Sequence, residues 1–213
     1  MRGSTRIKIC GLSTRDDVTA AVAAGADALG FNFFPRSRRF IEPALAGPLV
    51  EGVPPFVARV GLFVDPSRSD VDAVLKQVRL HYLQFHGDED DAFCASFGMP
   101  YLKALGVRGP VDGAALAARF PGAVGILLDA SVDGVTGGTG TRFDWSWFPR
   151  GTEKHWILAG GLDATNVGEA IVRLRPHAVD VSSGVESTPG RKDAARIAAF
   201  CSAVRAADDA EVR

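Results

Sequence analysis

Eight short runs of apolar and β-branched residues recur along this chain, alternating with stretches whose apolar residues return at helical spacing. The strand-like runs cover residues 6–12, 28–34, 59–64, 82–86, 101–107, 124–130, 156–162 and 178–183. Helical stretches lie between them at 16–24, 70–78, 88–97, 112–120, 164–174 and 192–204, with capping residues expected at Ser69, Asp163 and Gly87-Asp88. The pattern over 43–51 is weaker, because Pro48 interrupts it and fits only near a helix start. Eight βα units predict one closed (β/α)8 TIM barrel with short loops, since that fold commonly takes roughly 250 residues and this chain has 213. An open doubly wound sheet would instead carry a G-x-G-x-x-G turn after its first strand, and none follows here.

With 46% hydrophobic side chains and no long charge run or low-complexity segment, residues 1–213 are expected to form a single domain, frayed at 1–5 and 207–213. The 24 basic and 25 acidic residues are spread evenly, so neither nucleic acid nor a membrane is expected as a partner. No apolar run reaches the ~18 residues of a membrane span and no signal peptide is legible, which points to a cytoplasmic protein. Cys10, Cys94 and Cys201 are odd in number and form no C-x-x-C pair, which fits a reducing compartment and argues against zinc. Cys94 and Cys201 fall inside apolar helical patterns and read as small core residues.

In a barrel strand alternate residues face the helices and the interior, so assigning the apolar phase outward exposes the other phase to a functional reading. Ile7 and Ile9 then leave Lys8 and Cys10 inward, and Ile126 and Leu128 leave Leu127 and Asp129 inward. The same rule turns Gln84, His86, Asp180 and Ser182 inward and gives Arg59 the interior phase of the third strand. Any one polar strand end has a bland account as a solvated or locally satisfied group, and for His86 alone that account is preferred. Lys8, Arg59 and Asp180 would place charge deep inside, where lone charges are costly, so mutual pairing is expected.

The seventh strand ends in Gly160-Gly161 and the eighth in Ser182-Ser183-Gly184. The loops after strands seven and eight are the common phosphate cradle of this fold, so a phosphorylated small molecule is the expected ligand. A further cluster, Gly137-Gly138-Thr139-Gly140, follows the sixth strand beside Asp129.

Lys8-Ile9-Cys10-Gly11, Gly25-Ala26-Asp27 with Gly30-Phe31, and Pro35-Arg36-Ser37-Arg38-Arg39 carry a resemblance, as do Gln84-Phe85-His86-Gly87 and Leu128-Asp129. It continues through the Gly137–Gly140 cluster with Phe143-Asp144-Trp145, then Gly160-Gly161-Leu162, and finally Asp180-Val181-Ser182-Ser183-Gly184-Val185-Glu186. In order and spacing the chain resembles the phosphoribosylanthranilate isomerases of tryptophan biosynthesis. The resemblance implies an Amadori rearrangement without cofactor or metal, with Asp129 as general acid and Cys10 as general base. Such roles call for surroundings that raise the carboxyl pKa and lower the thiol pKa. It further implies that Arg39 holds the anthranilate carboxylate, that Gly160, Gly161, Ser182, Ser183 and Gly184 hold the phosphate, and that Asp180 supports the site. Monomeric and homodimeric forms are both compatible with it.

Other phosphosugar barrels offer rival readings. A metal-dependent epimerase needs several inward ligands, yet of the four histidines only His86 ends a strand. A Schiff-base aldolase needs an inward lysine, for which Lys103 of the fifth strand, of ambiguous phase, is the candidate. A silent barrel that only binds a phosphorylated ligand stands against the joint presence of Cys10, Asp129 and Arg39.

Overall fold

The computed structural model describes residues 4–129, 145–149 and 154–211. Eight parallel strands pair in chain order: β1 (Arg6–Cys10), β2 (Ala28–Asn32), β3 (Ala58–Phe63), β4 (Tyr82–Phe85), β5 (Tyr101–Gly106), β6 (Gly125–Asp129), β7 (Trp156–Ala159) and β8 (Ala178–Val181). β8 pairs back onto β1 with Lys8 opposite Asp180, which closes the barrel. The helices are α1 (Arg15–Ala23), α2 (Pro43–Glu51), α3 (Arg68–Leu75), α4 (Asp91–Ala95), α5 (Gly113–Arg119), α6 (Val167–Leu174) and α7 (Ala194–Glu211). A 3-10 turn follows β6 at Trp145–Trp147, and another, Ser183–Val185, leads from β8 into a hairpin of β9 (Glu186–Thr188) and β10 (Arg191–Lys192). The glycine cluster at 137–140, with Phe143 and Asp144, lies outside the described residues.

Two apolar layers account for the closure. Ile7, Ile9, Leu29, Phe31, Leu83, Phe85, Ile126, Leu128, Leu158 and Val179 are buried between the strands and the helices. Val60, Leu102, Ala104, Leu127, Ile157, Ala159 and Ala178 fill the interior. Each large aliphatic side chain removed from water contributes about 1.5–3 kcal/mol, which is what holds a sheet whose strands are only four to six residues long.

Local chemistry sets the helix starts. Thr14 and Asp17 form a reciprocal capping box for α1, as Ser67 and Asp70 do for α3, so α3 is capped by Ser67 and not by the expected Ser69. α4 starts at Asp91 under an Asp90 cap. The expected start at Gly87-Asp88 is taken up elsewhere, since the Gly87 amide donates to Glu89 and the Asp88 amide to Asp65. At α6 the side chains of Asp163 and Asn166 hold a turn over 163–166, so the helix begins later than residue 164. α2 does form across Pro48, because Ala46, Gly47 and Val50 bury one face on the barrel.

One further expectation is corrected. Arg59 does not face the interior: Val60 does, and Arg59 reaches outward to the Val50 carbonyl at 3.4 Å and the His81 ring at 2.8 Å. The outward phase of β3 contains Gly61, where Leu80 and Phe33 already occupy the space of a side chain, and that gap hides the apolar rhythm. At the two ends, α7 runs to Glu211 and Thr5 is bonded to it. Ala207 is buried, and the Asp208 carboxylate accepts from the Thr5 amide at 2.8 Å and its hydroxyl at 2.7 Å. No described helix is long and apolar enough to cross a membrane.

Lys103 also faces outward, alternating with the interior Leu102 and Ala104. Its ammonium is buried 2.7 Å from the Glu89 carboxylate, which in turn accepts from the Asp65 and Gly87 amides. This lysine is therefore a strut between the β3–α3 and β4–α4 loops, unsuited to a Schiff base in the cavity. Lys103→Met leaves the Glu89 charge buried and should cost about 3–5 kcal/mol in urea unfolding. Lys103→Met combined with Glu89→Leu should recover much of that loss.

Candidate active site

The C-terminal ends of the strands surround an open cavity of about 490 Å³. Cys10 from β1 and Asp129 from β6 line it from opposite sides of the barrel, together with Arg39, Asp180, Gly160, Gly161, Ser182 and Ser183. Of the site residues that the resemblance implies, only Gly184 is not on its wall. Gly184 packs behind, so close to the Leu162 carbonyl that a Cβ would sit 1.9 Å from it.

Beneath the cavity Lys8 and Asp180 form the expected buried pair at 2.8 Å. Burial works against the Lys8 charge, but Asp180 and Cys10 outweigh it and hold the lysine above its ordinary pKa. Cys10 lies next to this pair, and Gly30 on β2 leaves the room: a Cβ there would come within 2.8 Å of the Cys10 sulfur and 3.1 Å of the Lys8 nitrogen. Burial pushes the Cys10 thiol above its usual pKa, and Lys8 offsets this only in part. The expectation of a depressed thiol is thus reversed, because removal from water outweighs the neighbouring ammonium. Burial also pushes Cys94 up to about 12 and Cys201 up to about 11, in line with their reading as core residues.

His86 also lines the cavity, next to Asp129. Its Nε2 lies 3.5 Å from the Asp129 carboxylate, and burial keeps the imidazole pKa below normal despite that charge, so the ring is neutral near pH 7. Gln84, fully buried at the cavity floor, has a carboxamide without a hydrogen-bond partner at either end among the described residues. Among the described residues no three His, Cys, Asp or Glu side chains converge as metal ligands would.

The glycine turns have the conformations their composition implied. Gly160 and Gly161 have φ of 84° and 64°, which end β7 and suit glycine best. Ser182 donates its hydroxyl hydrogen to the Cys10 carbonyl at 3.0 Å and accepts from Lys192 at 3.2 Å.

Arg39 is held more firmly than its loop position suggested. Asn32 donates to the Ser37 hydroxyl at 3.0 Å and Ser37 accepts from the Arg39 amide at 3.1 Å, which folds the loop after β2. The Arg39 stem crosses Gly11, where a Cβ would lie 2.5 Å from its Cδ. Its head makes a two-pronged bond to Glu186, Nε to Oε1 at 2.6 Å and Nη2 to Oε2 at 3.0 Å. Lys192, equally buried, donates to the same Oε1 at 2.8 Å and to the Ser182 carbonyl at 3.0 Å. No spacing rule in the sequence marks Glu186 and Lys192 as partners of Arg39, about 150 residues upstream; charged residues flanking a glycine turn at Gly190 are the only local signal.

A (β/α)8 barrel whose mouth combines a thiol, a carboxyl, an arginine and two glycine turns is built to act on a small anionic molecule. The family profile described as N-(5'phosphoribosyl)anthranilate (PRA) isomerase matches residues 7–203. An N-(5'-phosphoribosyl)anthranilate isomerase of Dechloromonas aromatica is 52% identical over 205 residues, spanning 96% of this chain and 98% of that one. The crystal structure of phosphoribosyl anthranilate isomerase from Thermotoga maritima superposes with a TM-score of 0.84 at 37% identity, covering 95% of this chain and 99% of that one. A phosphoribosyl anthranilate isomerase solved with reduced 1-(o-carboxyphenylamino)-1-deoxyribulose 5-phosphate superposes at 0.80, with 36% identity and coverage of 95% and 99%. The chain belongs to the N-(5'-phosphoribosyl)anthranilate isomerase family.

Two measurements probe the electrostatics. Burial opposes the Glu186 charge, but the hydrogen bonds from Arg39 and Lys192 prevail and bring its pKa down to about 2, against an ordinary 4.5. That stabilisation is complete above pH 4.5 and lost as the pH falls toward 2, at most about 3 kcal/mol. Acid unfolding of Glu186→Gln should lack this component. Cys10, with its raised pKa, should react with iodoacetamide at pH 8 more slowly than an exposed thiol, and Lys8→Met should slow it further when alkylation is followed by peptide mass spectrometry.

Proposed function

We propose that this chain converts N-(5-phosphoribosyl)anthranilate to 1-(2-carboxyphenylamino)-1-deoxyribulose 5-phosphate in tryptophan biosynthesis, by general acid–base catalysis at Cys10 and Asp129 without a cofactor. The observation that carries the assignment is the convergence of Cys10, Asp129, Arg39 and the Gly160-Gly161 and Ser182-Ser183 turns on one cavity, in a member of this isomerase family.

Asp129 delivers a proton to the ribose ring oxygen, the ring opens, and a protonated imine forms at the anilino nitrogen. Cys10 then takes the C2 proton, and the enolamine settles to the ketone; one proton given and one taken leave an isomer of the substrate. The thiol, pushed toward its neutral form in the ligand-free cavity, gains its thiolate character from charge around it. Lys8 supplies one positive charge and the iminium, once formed, a second, so base strength rises when it is needed. His86 beside Asp129 steadies the acid. Asp180 supports the site by keeping Lys8 charged and in place.

The phosphate rests on the amides of Gly160, Gly161, Ser182, Ser183 and Gly184, with Gly184 letting the two loops touch. Arg39 binds the anthranilate carboxylate. Every residue invoked comes from one chain, so a monomer or a homodimer can work, and size-exclusion chromatography distinguishes them. A single-domain cytoplasmic enzyme completes the reading.

Turnover is followed by the fading fluorescence of the substrate. Cys10→Ala and Asp129→Asn should each lower it at least ~10²-fold with an unchanged far-UV circular dichroism spectrum. A near wild-type rate in either variant rejects the role given to that residue.

A further inference from the structure

Arg39 meets a carboxylate of its own chain before any ligand arrives, and that contact divides the guanidinium in two. An arginine offers five N–H donors on a rigid plane, with a side edge formed by Nε and one terminal nitrogen and an end edge formed by both terminal nitrogens. Glu186 takes the side edge through Nε and Nη2. Among the described residues the end edge, one N–H from each terminal nitrogen, is left over on a residue that lines the cavity.

Glu186 is not placed to leave. Its side chain is buried, and besides Arg39 it accepts from the Lys192 ammonium at 2.8 Å and from the Gly190 amide at 3.1 Å. Gly190 itself, at φ 85°, presses against the Arg38 carbonyl, with room for no side chain. The hairpin β9–β10 is thereby locked to the loop that carries Arg39. The charges also balance in a telling way. Lys192 neutralises Glu186, so Arg39, Glu186 and Lys192 together retain one positive charge for one further carboxylate.

We infer that Glu186 is a positioning residue for ligand recognition: it grips the side edge of Arg39 so that the end edge stands fixed to receive the single carboxylate of an N-aryl phosphosugar. The inference rests on the reading of Arg39 given above and goes beyond it by assigning the selectivity for an ortho-carboxylated ring to a carboxylate that never touches the ligand. An alternative physical arrangement, in which Glu186 merely occupies Arg39 until a ligand displaces it, predicts the opposite sign.

The test uses two probes on the intact chain by titration calorimetry: reduced 1-(o-carboxyphenylamino)-1-deoxyribulose 5-phosphate and the same compound lacking the ring carboxylate. The readout is the ratio of the two affinities. A variant that only loosens the fold weakens both probes alike and leaves the ratio where it was. Wild-type protein should favour the carboxylated probe, and Arg39→Ala should abolish that preference. Glu186→Gln should cut the ratio about tenfold, since a charge-assisted fork is replaced by a weaker neutral contact. Glu186→Asp, which keeps the charge but draws it back by one methylene, should cut it similarly and serves if the Gln variant does not fold. An unchanged ratio in Arg39→Ala overturns the role of Arg39. A preference lost in Arg39→Ala but kept or increased in the foldable Glu186 variant overturns this inference alone.

Discussion

The site depends on one buried contact, the 2.8 Å pair between Lys8 and Asp180 inside the barrel. It lies on the seam where the first strand meets the last, with the two residues directly opposite in the β1–β8 register. Each charge alone would be untenable in that interior, and together they fix both strands at the depth from which the cavity rises. Two residues above Lys8 stands Cys10, and two residues above Asp180 stands Ser182, whose hydroxyl bonds the Cys10 carbonyl. The closure of the fold and the placing of the thiol are thus one event.

The polar interior is carried without open cost because nearly every group in it has a partner. Lys103 and Glu89 hold the loops beside His86 from the outside of the barrel, and Lys192 and Glu186 hold the loop beside Ser182. Gln84 stands apart, with both ends of its amide unbonded at the cavity floor among the described residues. An unmet buried amide costs about 1–3 kcal/mol per group, and such a group gains on any ligand hydroxyl or water that reaches it.

Much of this architecture was legible beforehand, because strand phase depends on a period of two that survives even in short strands. Lys8, Cys10, Asp129 and Asp180 follow directly from the apolar partners that flank them. The phase failed at Arg59, where Gly61 interrupts the rhythm and the outward face is filled by Leu80 from elsewhere. Helix starts slipped wherever a backbone amide was claimed by a distant side chain, as at Gly87 and Asp88. The pairing of Arg39 with Glu186 was hidden for the same reason: it joins two loops that only the finished barrel brings together. The direction of the Cys10 shift is not legible in sequence, because burial, which no local pattern reports, outweighs the ammonium two residues away.

Gly11 has a consequence for what fits the cavity. The arginine stem lies across it, immediately after the cysteine, so no side chain can be inserted to move the one group away from the other. Under the proposed roles this contact acts as a ruler, fixing the span between the aromatic carboxylate and the carbon that surrenders its proton. A molecule with one extra methylene between ring and sugar would be out of register at one end or the other, however well its phosphate was seated.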